Sequence, residues 1–577
     1  MSELHPRKNV SVGLGALWMC ALWMCALWMC VLGACSRDPG ADLIFAGGPV
    51  LTVNADNQVA EALAVRDGVI VAVGSVADVM AHRSGRTVVI DLKGRALLPG
   101  FVGAHEHPTL SAVFSGAIDL SGFTHKTNES VWHTLRQAVA RTPKGEWIYA
   151  GGLDAMLTPD LRIPSRSELD AIAPEHPVVL VSQTLHSFWA NSKAFAAAGI
   201  TRSTPDPGAG SYYERDAQGE LTGFVAETRA ATPLLKVLKS PWPLYGRYVD
   251  VLDGLLAGGF TSVASLGYNV PPLLARVAAS RRGQPRIRQF FYLVEDELSY
   301  LPGKPNTDNP FFRVLGIKLW HDGSPYTGSM LMSAPYLDSP LARALRIPPG
   351  SHGAAMLSDD ALSAKLRKYA AQGWQVAIHS QGDRSNRAVL NALAQAGPLP
   401  GLAPVVRLEH SVLLPASEIR RVAELGATAS FHIHHILYYG DALERSLLGP
   451  QMAQQVLPVR TAFEHGVRPT LHADSPMFPA KAFKLMQTAI DRATRSGQTL
   501  NAAERIDVRQ ALRAMTVHGA WQLRLADKTG SLERGKWADL QIVDRSPYDV
   551  PVQELDRLKT EAVYVAGRRQ FLAGSAP

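Results

Sequence analysis

Short apolar runs alternate with helical patterns over most of the chain from residue 97 onwards. Their length and β-branched content are typical of buried strands. Strands that alternate with helices predict a parallel sheet with crossover helices. The nine runs are 97–107, 177–186, 259–267, 288–294, 314–320, 374–380, 405–411, 427–434 and 468–474.

A (β/α)8 barrel needs one strand fewer than this count. The second run lies within the stretch 108–250, which otherwise lacks regular alternation and contains many Pro and Ser residues. We interpret that stretch as an insertion, and eight strands remain. The sequence therefore predicts an α/β fold with a TIM barrel over 98–524.

Both ends of the chain have a different texture, with short β-branched runs that are broken by Gly, Asn and Asp. These runs are 42–54, 62–74, 87–91, 538–544 and 561–567. Such a pattern is typical of small antiparallel sheets. We expect residues 35–97 and 525–577 to build one small composite β-sandwich domain beside the barrel.

The N-terminal segment, residues 1–34, has a basic start at Arg7 and Lys8 and no charged residue from Asn9 to Ala34. Its ending at Cys35 resembles a bacterial lipoprotein signal, in which the leader is removed and Cys35 is lipidated. The alternative is a transmembrane anchor, because the apolar run is long enough to span a bilayer. Both interpretations predict a membrane-attached protein of the cell envelope that faces the periplasm or the exterior, and both exclude the segment from the fold.

Composition narrows the function classes. Lys and Arg exceed Asp and Glu by seven (58 − 51) in 577 residues, and no long basic block occurs, so a nucleic-acid partner is not expected. The four cysteines all lie at or before Cys35, so the rest of the chain has no disulfide, thiolate zinc site or Cys nucleophile.

Polar residues follow five of the predicted barrel strands, and in a barrel the chemistry lies at those carboxyl ends. His105 and His107 are two residues apart on one strand, so both side chains share a face and can hold one metal ion. Lys318 lies within an apolar strand, where an ammonium is costly unless it is neutralised, paired or modified. Nitrogen and oxygen ligands of this kind suit zinc or a similar divalent ion. The candidate metal ligands are His105, His107, Lys318, His379, His410 and Asp474.

Eight motifs are spread over nearly the whole chain after the N-terminal segment. They are Leu98-Pro-Gly-Phe-Val-Gly-Ala-His-Glu-His107, His186-Ser-Phe-Trp-Ala-Asn191, Gly259-Phe-Thr-Ser-Val263, Lys318-Leu-Trp-His-Asp-Gly-Ser324, His379-Ser-Gln-Gly-Asp383, Glu409-His410, Asp474-Ser-Pro476 and Gly530-Ser-Leu-Glu-Arg-Gly-Lys-Trp-Ala-Asp539. In their order and spacing the chain resembles the amidohydrolase superfamily, within the amidohydrolase-3 group that contains the N-substituted formamide deformylases. The resemblance extends over about 42–573.

This resemblance implies a site with two divalent metal ions, expected to be zinc. His105 and His107 would hold one ion together with Asp474, and His379 and His410 would hold the other. Lys318 would be carboxylated to a carbamate that bridges the ions, which turns a costly buried cation into an anion between cations. Some relatives work with one metal, so an unmodified lysine stays open. The family usually has Asp at the position of Gly103, so one supporting carboxylate is missing here.

The resemblance also implies substrate contacts. His186 and Asn191 match a motif of the insertion that reaches over the pocket in relatives. His432 and His434 are expected to share a face of the seventh barrel strand and to line the pocket, with structural packing as the alternative.

Two further histidines belong to the same region of the chain. His435 is expected to point outward from the seventh strand. His472 shares a strand face with Asp474, so it either lines the barrel beneath the site or is a core histidine that binds a backbone carbonyl.

Other enzyme classes lack their motifs in this sequence. It contains no Gly-x-Ser-x-Gly, Gly-x-Gly-x-x-Gly or Walker motif, so serine hydrolysis and nucleotide chemistry are unsupported. The expected activity is hydrolysis of an amide-type C–N bond of a small molecule, possible forms being N-formyl and N-acyl, through a metal-activated hydroxide with Asp474 as the proton shuttle. The alternatives are an ester, lactone or cyclic amide hydrolase on the same site, or a non-catalytic binding lipoprotein. A homodimer is left open as the assembly.

Overall fold

A computed structural model describes residues 40–208, 211–267, 286–299, 301, 303–306 and 308–574. The predicted signal segment and Cys35 lie outside these residues. Within the described ranges, no helix combines the length and the apolar character that crossing a membrane requires.

The described strands form three sheets. In chain order they are β1 (Leu43–Leu51), β2 (Val59–Arg66), β3 (Val69–Gly74), β4 (Val88–Asp91), β5 (Ala96–Pro99), β6 (Phe101–Glu106), β7 (Ile118–Asp119), β8 (Ile148–Leu153), β9 (Val178–Ser182), β10 (Ser187–Ala190), β11 (Tyr212–Arg215), β12 (Leu221–Ala226), β13 (Phe260–Leu266), β14 (Arg288–Leu293), β15 (Phe312–Trp320), β16 (Gln375–Ser380), β17 (Val406–His410), β18 (Thr428–Phe431), β19 (Thr470–Leu471), β20 (Leu540–Val543), β21 (Thr560–Val565) and β22 (Arg568–Leu572).

The barrel is an eight-stranded sheet in which β6 and β13 to β19 follow one another in chain order. All pairs of neighbouring strands in this sheet are parallel, and strands such as β13 and β16 are buried along their whole length. Burial on both faces explains why these strands are continuous apolar runs in the sequence. The predicted α/β barrel is confirmed.

The two ends of the barrel ladder, β6 and β19, meet at a seam that is closed by a carboxylate and a loop. Glu106 accepts hydrogen bonds from the backbone N–H groups of Ala473 at 3.1 Å and Ser475 at 2.7 Å. The N–H of His107 donates to the carbonyl oxygen of Ser475 at 3.1 Å. Burial raises the pKa of Glu106 to about 7, although the two N–H donors oppose this rise. The barrel is therefore nearly closed.

Both chain ends contribute to one continuous eight-stranded sheet, as expected. Its order is β22-β21-β20-β5-β1-β2-β3, and β4 pairs with β1. In the antiparallel pair that joins the two ends, Leu97 lies opposite Ile542. Successive residues of β1 point to opposite faces of this sheet and so pack into different apolar clusters. Phe45 belongs to the cluster that contains Tyr564, and Ile44 to the cluster that contains Val79.

The insertion after β6 builds the third sheet, in the order β11-β12-β10-β9-β8-β7. The second apolar run, 177–186, becomes β9 in this sheet and not a barrel strand. Three strands are parallel, β7 to β9, and the remaining pairs are antiparallel. Several of these strands have only two to six residues, too short for a clear period-2 pattern.

The helices cover the barrel and connect its strands. Local signals start several of them: Ser165 with Glu168, and Asp507 with Gln510, form capping boxes at their first turns. The described α-helices are Val76–Met80, Pro108–Phe114, Asn128–Arg141, Arg166–Ile172, Ser192–Ala198, Glu227–Ala231, Pro241–Ala257, Pro340–Ala344, Asp359–Ala371, Asp383–Ala396, Ala416–Glu424, His434–Ala442, Pro450–Ala453, Val459–Glu464, Ala482–Asp491, Val508–Ala514 and Val517–Gln522.

Candidate active site

The predicted metal ligands come together at the carboxyl end of the barrel. Asp474, which lies in the loop after β19, is the shared partner. Its Oδ1 is 3.1 Å from Nε2 of His105 and 3.0 Å from Nε2 of His107. Its Oδ2 is 3.9 Å from Nδ1 of His410, at the end of β17. Residues from both ends of the barrel ladder and from its middle therefore meet in one cluster.

Buried polar atoms in this cluster lack hydrogen-bond partners among the described residues. They include Nε2 of His105 and Oδ1 of Asp474, which lie 3.1 Å apart without a hydrogen bond between them, together with Nδ1 of His107 and Nζ of Lys318. An unpaired buried polar atom costs free energy unless something binds it. These are the nitrogen and oxygen atoms that zinc and similar divalent ions take as ligands, so the residues present fit a metal ion.

His472 belongs to the same cluster. Ligand atoms of His105, His410, His472 and Asp474 all lie within 4.8 Å of one another. The His472 ring stacks on His105 with centroids 4.2 Å apart, and its Nε2 is 3.2 Å from Nδ1 of His410. Of the two interpretations left open by the sequence, the structure therefore places His472 in the lining of the site.

The second predicted pair of ligands, His379 and His410, also lies side by side. Their ring centroids are 4.4 Å apart, at the ends of the neighbouring strands β16 and β17. Burial lowers the pKa of both well below 6.5, and nearby cations add to the effect. Both imidazoles are therefore neutral at ordinary pH, which is the form that binds a metal.

Lys318 lies on β15 with only 2% of its surface exposed. Burial lowers its pKa to about 8, while the carboxylates of Glu409 and Asp474 favour the charged form. Its Nζ lies 5.4 Å from the centre of the Trp320 ring. A lysine with this pKa has a substantial neutral fraction near pH 8, and the neutral amine is the form that can react or coordinate.

Glu409, which was not among the predicted site residues, binds and orients the ring of His105. Oε2 of Glu409 is 2.6 Å from Nδ1 of His105, and Oε1 is 2.8 Å from Nε of Arg407. Burial alone raises the pKa of Glu409, but Arg407 and His105 reverse the shift and bring it to about 2. Gly103, where the family usually has Asp, has no side chain, and Glu409 is the carboxylate that contacts His105. Arg407 and Glu409 share a strand face, and that spacing was the available signal.

Asp322 explains the motif that follows Lys318. Its carboxylate accepts hydrogen bonds from the N–H groups of Gln381 at 2.9 Å, Gly382 at 2.9 Å and Leu331 at 3.0 Å. A Cβ at Gly382 would lie 1.8 Å from the carbonyl oxygen of Leu331, so only glycine fits there. Asp322 thus fixes the loop after His379 to the end of β15.

One of the predicted substrate contacts, His432, faces the cluster. Nε2 of His432 donates to the carbonyl oxygen of Ala473 at 2.8 Å, and its Nδ1 is 3.9 Å from Oδ2 of Asp474. Burial lowers its pKa to about 4. His186 belongs to the inserted sheet and lies beside Glu227, with Nδ1 to Oε2 at 2.8 Å.

Asn191 has a structural role in place of the expected substrate contact. Its side chain is fully buried, and Oδ1 accepts hydrogen bonds from the N–H groups of Val178 and Ala194. Its Nδ2 donates to the carbonyl oxygen of His176 at 2.8 Å. The amide thus caps the helix Ser192–Ala198 and holds it to β9.

The expectation that His432 and His434 share a strand face is wrong, because β18 ends at Phe431 and a helix begins at His434. The His434 ring is buried against Tyr438 and Phe478. The expectation that His435 points outward is also wrong. Its ring is buried, and Nδ1 is 2.6 Å from the hydroxyl of Tyr326.

The chain is similar to known proteins over most of its length. A family model described as "Amidohydrolase family" matches residues 88–571. An N-substituted formamide deformylase from Arthrobacter pascens is 28% identical over 542 residues, which cover 91% of this chain and 97% of that protein. An uncharacterized metal-dependent hydrolase from Pyrococcus horikoshii OT3 superposes with a TM-score of 0.71 at 25% identity, covering 89% of this chain and 99% of that one. Another, from Pyrococcus furiosus, gives a TM-score of 0.69 at 23% identity, with 88% and 99% covered.

Proposed function

Because this chain belongs to the amidohydrolase family and is a metal-dependent hydrolase, we propose that it cleaves an amide-type C–N bond of a small molecule, of the N-formyl or N-acyl kind. The observation that carries this proposal is the carboxylate of Asp474, held between two imidazoles beside unpartnered buried atoms. The deformylase among the relatives supports the choice of an amide bond.

The metal-binding part of the proposal assigns each ligand. His105, His107 and Asp474 would hold one zinc ion, and His379 and His410 would hold a second. A carboxylated Lys318 would bind both ions. The buried and partly neutral amine of Lys318 supports that modification, because a carbamate replaces an unpaired cation by an anion. Such ions, when bound, polarise a carbonyl and bring the pKa of water towards about 7.

Asp474 is the proposed general base. Burial raises the pKa of this carboxyl, but His410, His105 and His107 outweigh burial and hold it well below 3.8. The side chain is therefore ionised at neutral pH and can accept a proton from the attacking water. The same carboxyl then returns the proton to the leaving nitrogen, which departs as an amine.

We also propose that the chain is a cell-envelope protein that is lipid-anchored at Cys35. The support is the uncharged apolar segment before it, which the described residues do not include. Mass spectrometry of the protein from the membrane fraction of its host tests this, since a mature chain that begins at an acylated Cys35 is expected.

The test of the activity is a hydrolysis screen on purified protein whose metal content is measured in parallel. The panel holds N-formyl, N-acyl and cyclic amides together with matched esters and lactones. Turnover of the acyclic amides by wild type, and its loss in Asp474→Asn, is expected. Faster turnover of esters or lactones than of any amide would show that the C–N assignment is wrong.

A further inference from the structure

A His–Glu pair lies on the inserted sheet, away from the barrel strands that supply the metal ligands. Nδ1 of His186 is 2.8 Å from Oε2 of Glu227. The backbone adds a second link, because the N–H of Glu227 donates to the carbonyl oxygen of His186 at 2.8 Å. The pair continues the antiparallel ladder between β10 and β12, in which Ser187 lies opposite Ala226.

The backbone at this pair is held in an unusual conformation. Glu227 has a φ of 67°, and Leu185, which precedes His186, has a φ of 63°. Non-glycine residues rarely occupy this region, and where they do the strain commonly marks a functional site. The two residues therefore place the His186 ring at a cost in backbone strain.

The His186 side chain is also partly open to solvent. Its side chain is 32% exposed and that of Glu227 is 33% exposed, whereas His105 is fully buried. Burial lowers the pKa of His186, but Glu227 outweighs it and raises the pKa, with a smaller contribution from Asp474. Gln183, three residues before His186, donates through Nε2 to the carbonyl oxygen of Pro476 at 3.3 Å. This part of the inserted sheet therefore lies beside the loop that carries Asp474.

We infer that Glu227 is a positioning residue that fixes the His186 ring through Nδ1, so that Nε2 is presented to a polar group of the substrate. The described residues offer that Nε2 no hydrogen-bond partner. This inference rests on the proposed function, and it gives the insertion a direct part in the reaction.

The experiment is a double-mutant cycle on His186→Ala and Glu227→Ala, measured as kcat/KM on the best amide of the screen. Glu227→Ala alone is expected to lower kcat/KM about tenfold or more. In the His186→Ala background the same change should alter kcat/KM by less than about twofold, because a residue that acts through His186 has nothing left to position. Glu227→Gln, which keeps an acceptor for Nδ1–H, should recover part of the loss.

A matched control is Glu220→Ala, just before β12 on the same sheet. Glu220 pairs with Arg202 on the exposed surface at 3.1 Å, so its loss should leave kcat/KM unchanged. Where Glu227→Ala does not fold, as judged by thermal unfolding, Glu227→Gln takes its place in the cycle and must show the same non-additivity. Additive losses, or no loss in the Glu227 variants, would overturn the inference.

A second readout does not depend on turnover. Diethyl pyrocarbonate modifies neutral imidazoles, and peptide mass spectrometry reports its rate at His186 at fixed pH. Release of the ring from Glu227 should make this rate several-fold faster in Glu227→Ala, while an unchanged rate counts against the pair. If wild type hydrolyses nothing in the screen, the proposed function fails, and the modification rate still decides whether Glu227 holds His186.

Discussion

Oε2 of Glu409 lies 2.6 Å from Nδ1 of His105, so an ionised carboxylate binds one ring nitrogen of this proposed metal ligand. This contact fixes the Nδ1–H tautomer. Nε2 of His105, 3.1 Å from Oδ1 of Asp474 without a hydrogen bond to it, keeps its lone pair for a metal. Arg407 in turn holds the other carboxylate oxygen. Arg407 therefore holds Glu409, and Glu409 in turn fixes the orientation of the His105 ring.

Glu409→Gln should reduce metal affinity about 10- to 100-fold, because an amide binds the imidazole N–H more weakly and no longer stabilises charge on it. Titration with a competing chelator measures this affinity. The exposed Glu424→Gln on the helix Ala416–Glu424 is the control and should bind metal like wild type. A Glu409→Gln protein with wild-type affinity would remove Glu409 from the account of the site.

Asp474→Asn should abolish turnover, with a loss in kcat of at least about a hundredfold, while the fold survives. The amide cannot accept the proton that the carboxylate takes, although its size and place are nearly the same. Kinetics, metal content and thermal unfolding are measured on the same preparation. Near-wild-type kcat with metal bound would mean that another group is the base.

Lys318→Ala should lose most bound metal and most activity, because the proposed carbamate supplies oxygen ligands and a negative charge. Acetate or formate in the buffer is expected to restore part of the activity by filling the space of the lost group. The decisive measurement is metal stoichiometry with electron density at high resolution. One metal per chain beside an unmodified Lys318, in fully active enzyme, contradicts the binuclear proposal.

Asp154 predicts a pH dependence of stability. Burial raises its pKa from 3.8 to about 6, although a hydrogen bond from the Tyr439 hydroxyl opposes the rise. Between the two pKa values the folded state keeps a proton that the unfolded chain loses. Asp154 therefore lowers the free energy of unfolding as pH rises through this range, by about 3 kcal/mol in all.

Asp154→Asn does not ionise, so its free energy of unfolding should rise relative to wild type between about pH 4 and about pH 6. Urea unfolding at several pH values in this window measures the difference. Asp296→Asn, at a residue whose side chain is 89% exposed, serves as the control and should run parallel to wild type. A constant difference between Asp154→Asn and wild type would show that Asp154 is ionised throughout.

Deletion of residues 540–577 should destabilise the N-terminal strands, because β20 pairs with β5 and carries the sheet on to β22. Hydrogen exchange of the amides in β1 and β5 should become faster and the melting temperature should fall. Deletion of residues 575–577 alone is the control. Unchanged exchange in the longer deletion contradicts the pairing.

The barrel could be predicted, and the candidate ligands could be located, because buried parallel strands are continuous apolar runs and the polar residues at their ends stand out in the sequence. The run 374–380, for example, is β16, and His379 lies near its end. The direction in which a side chain points could not be predicted for residues that follow the end of a strand. His434 follows a strand that ends at Phe431, so the period-2 rule no longer applies to it.

The inserted sheet was missed for a different reason. Its strands are short, and β7 has only two residues, so partners that are distant in the sequence define them. Asn191 shows the consequence, since its cap and its bond to β9 depend on a sheet that the pattern did not reveal. Glu409 was within reach, because a charged pair on one face of an apolar strand is itself a signal.

The residues that close the seam between β6 and β19 lie in the same loop as the proposed general base, so selection for folding and selection for activity act on the same short segment. The loop 473–475 carries Asp474 and also gives the two N–H groups that Glu106 binds to close the barrel. A substitution that misplaces this loop should lower soluble expression as well as turnover. Libraries at 473 and 475 that are selected only for yield are therefore expected to retain many of the residues that selection for catalysis retains, whereas Asp474 should be kept only under selection for catalysis.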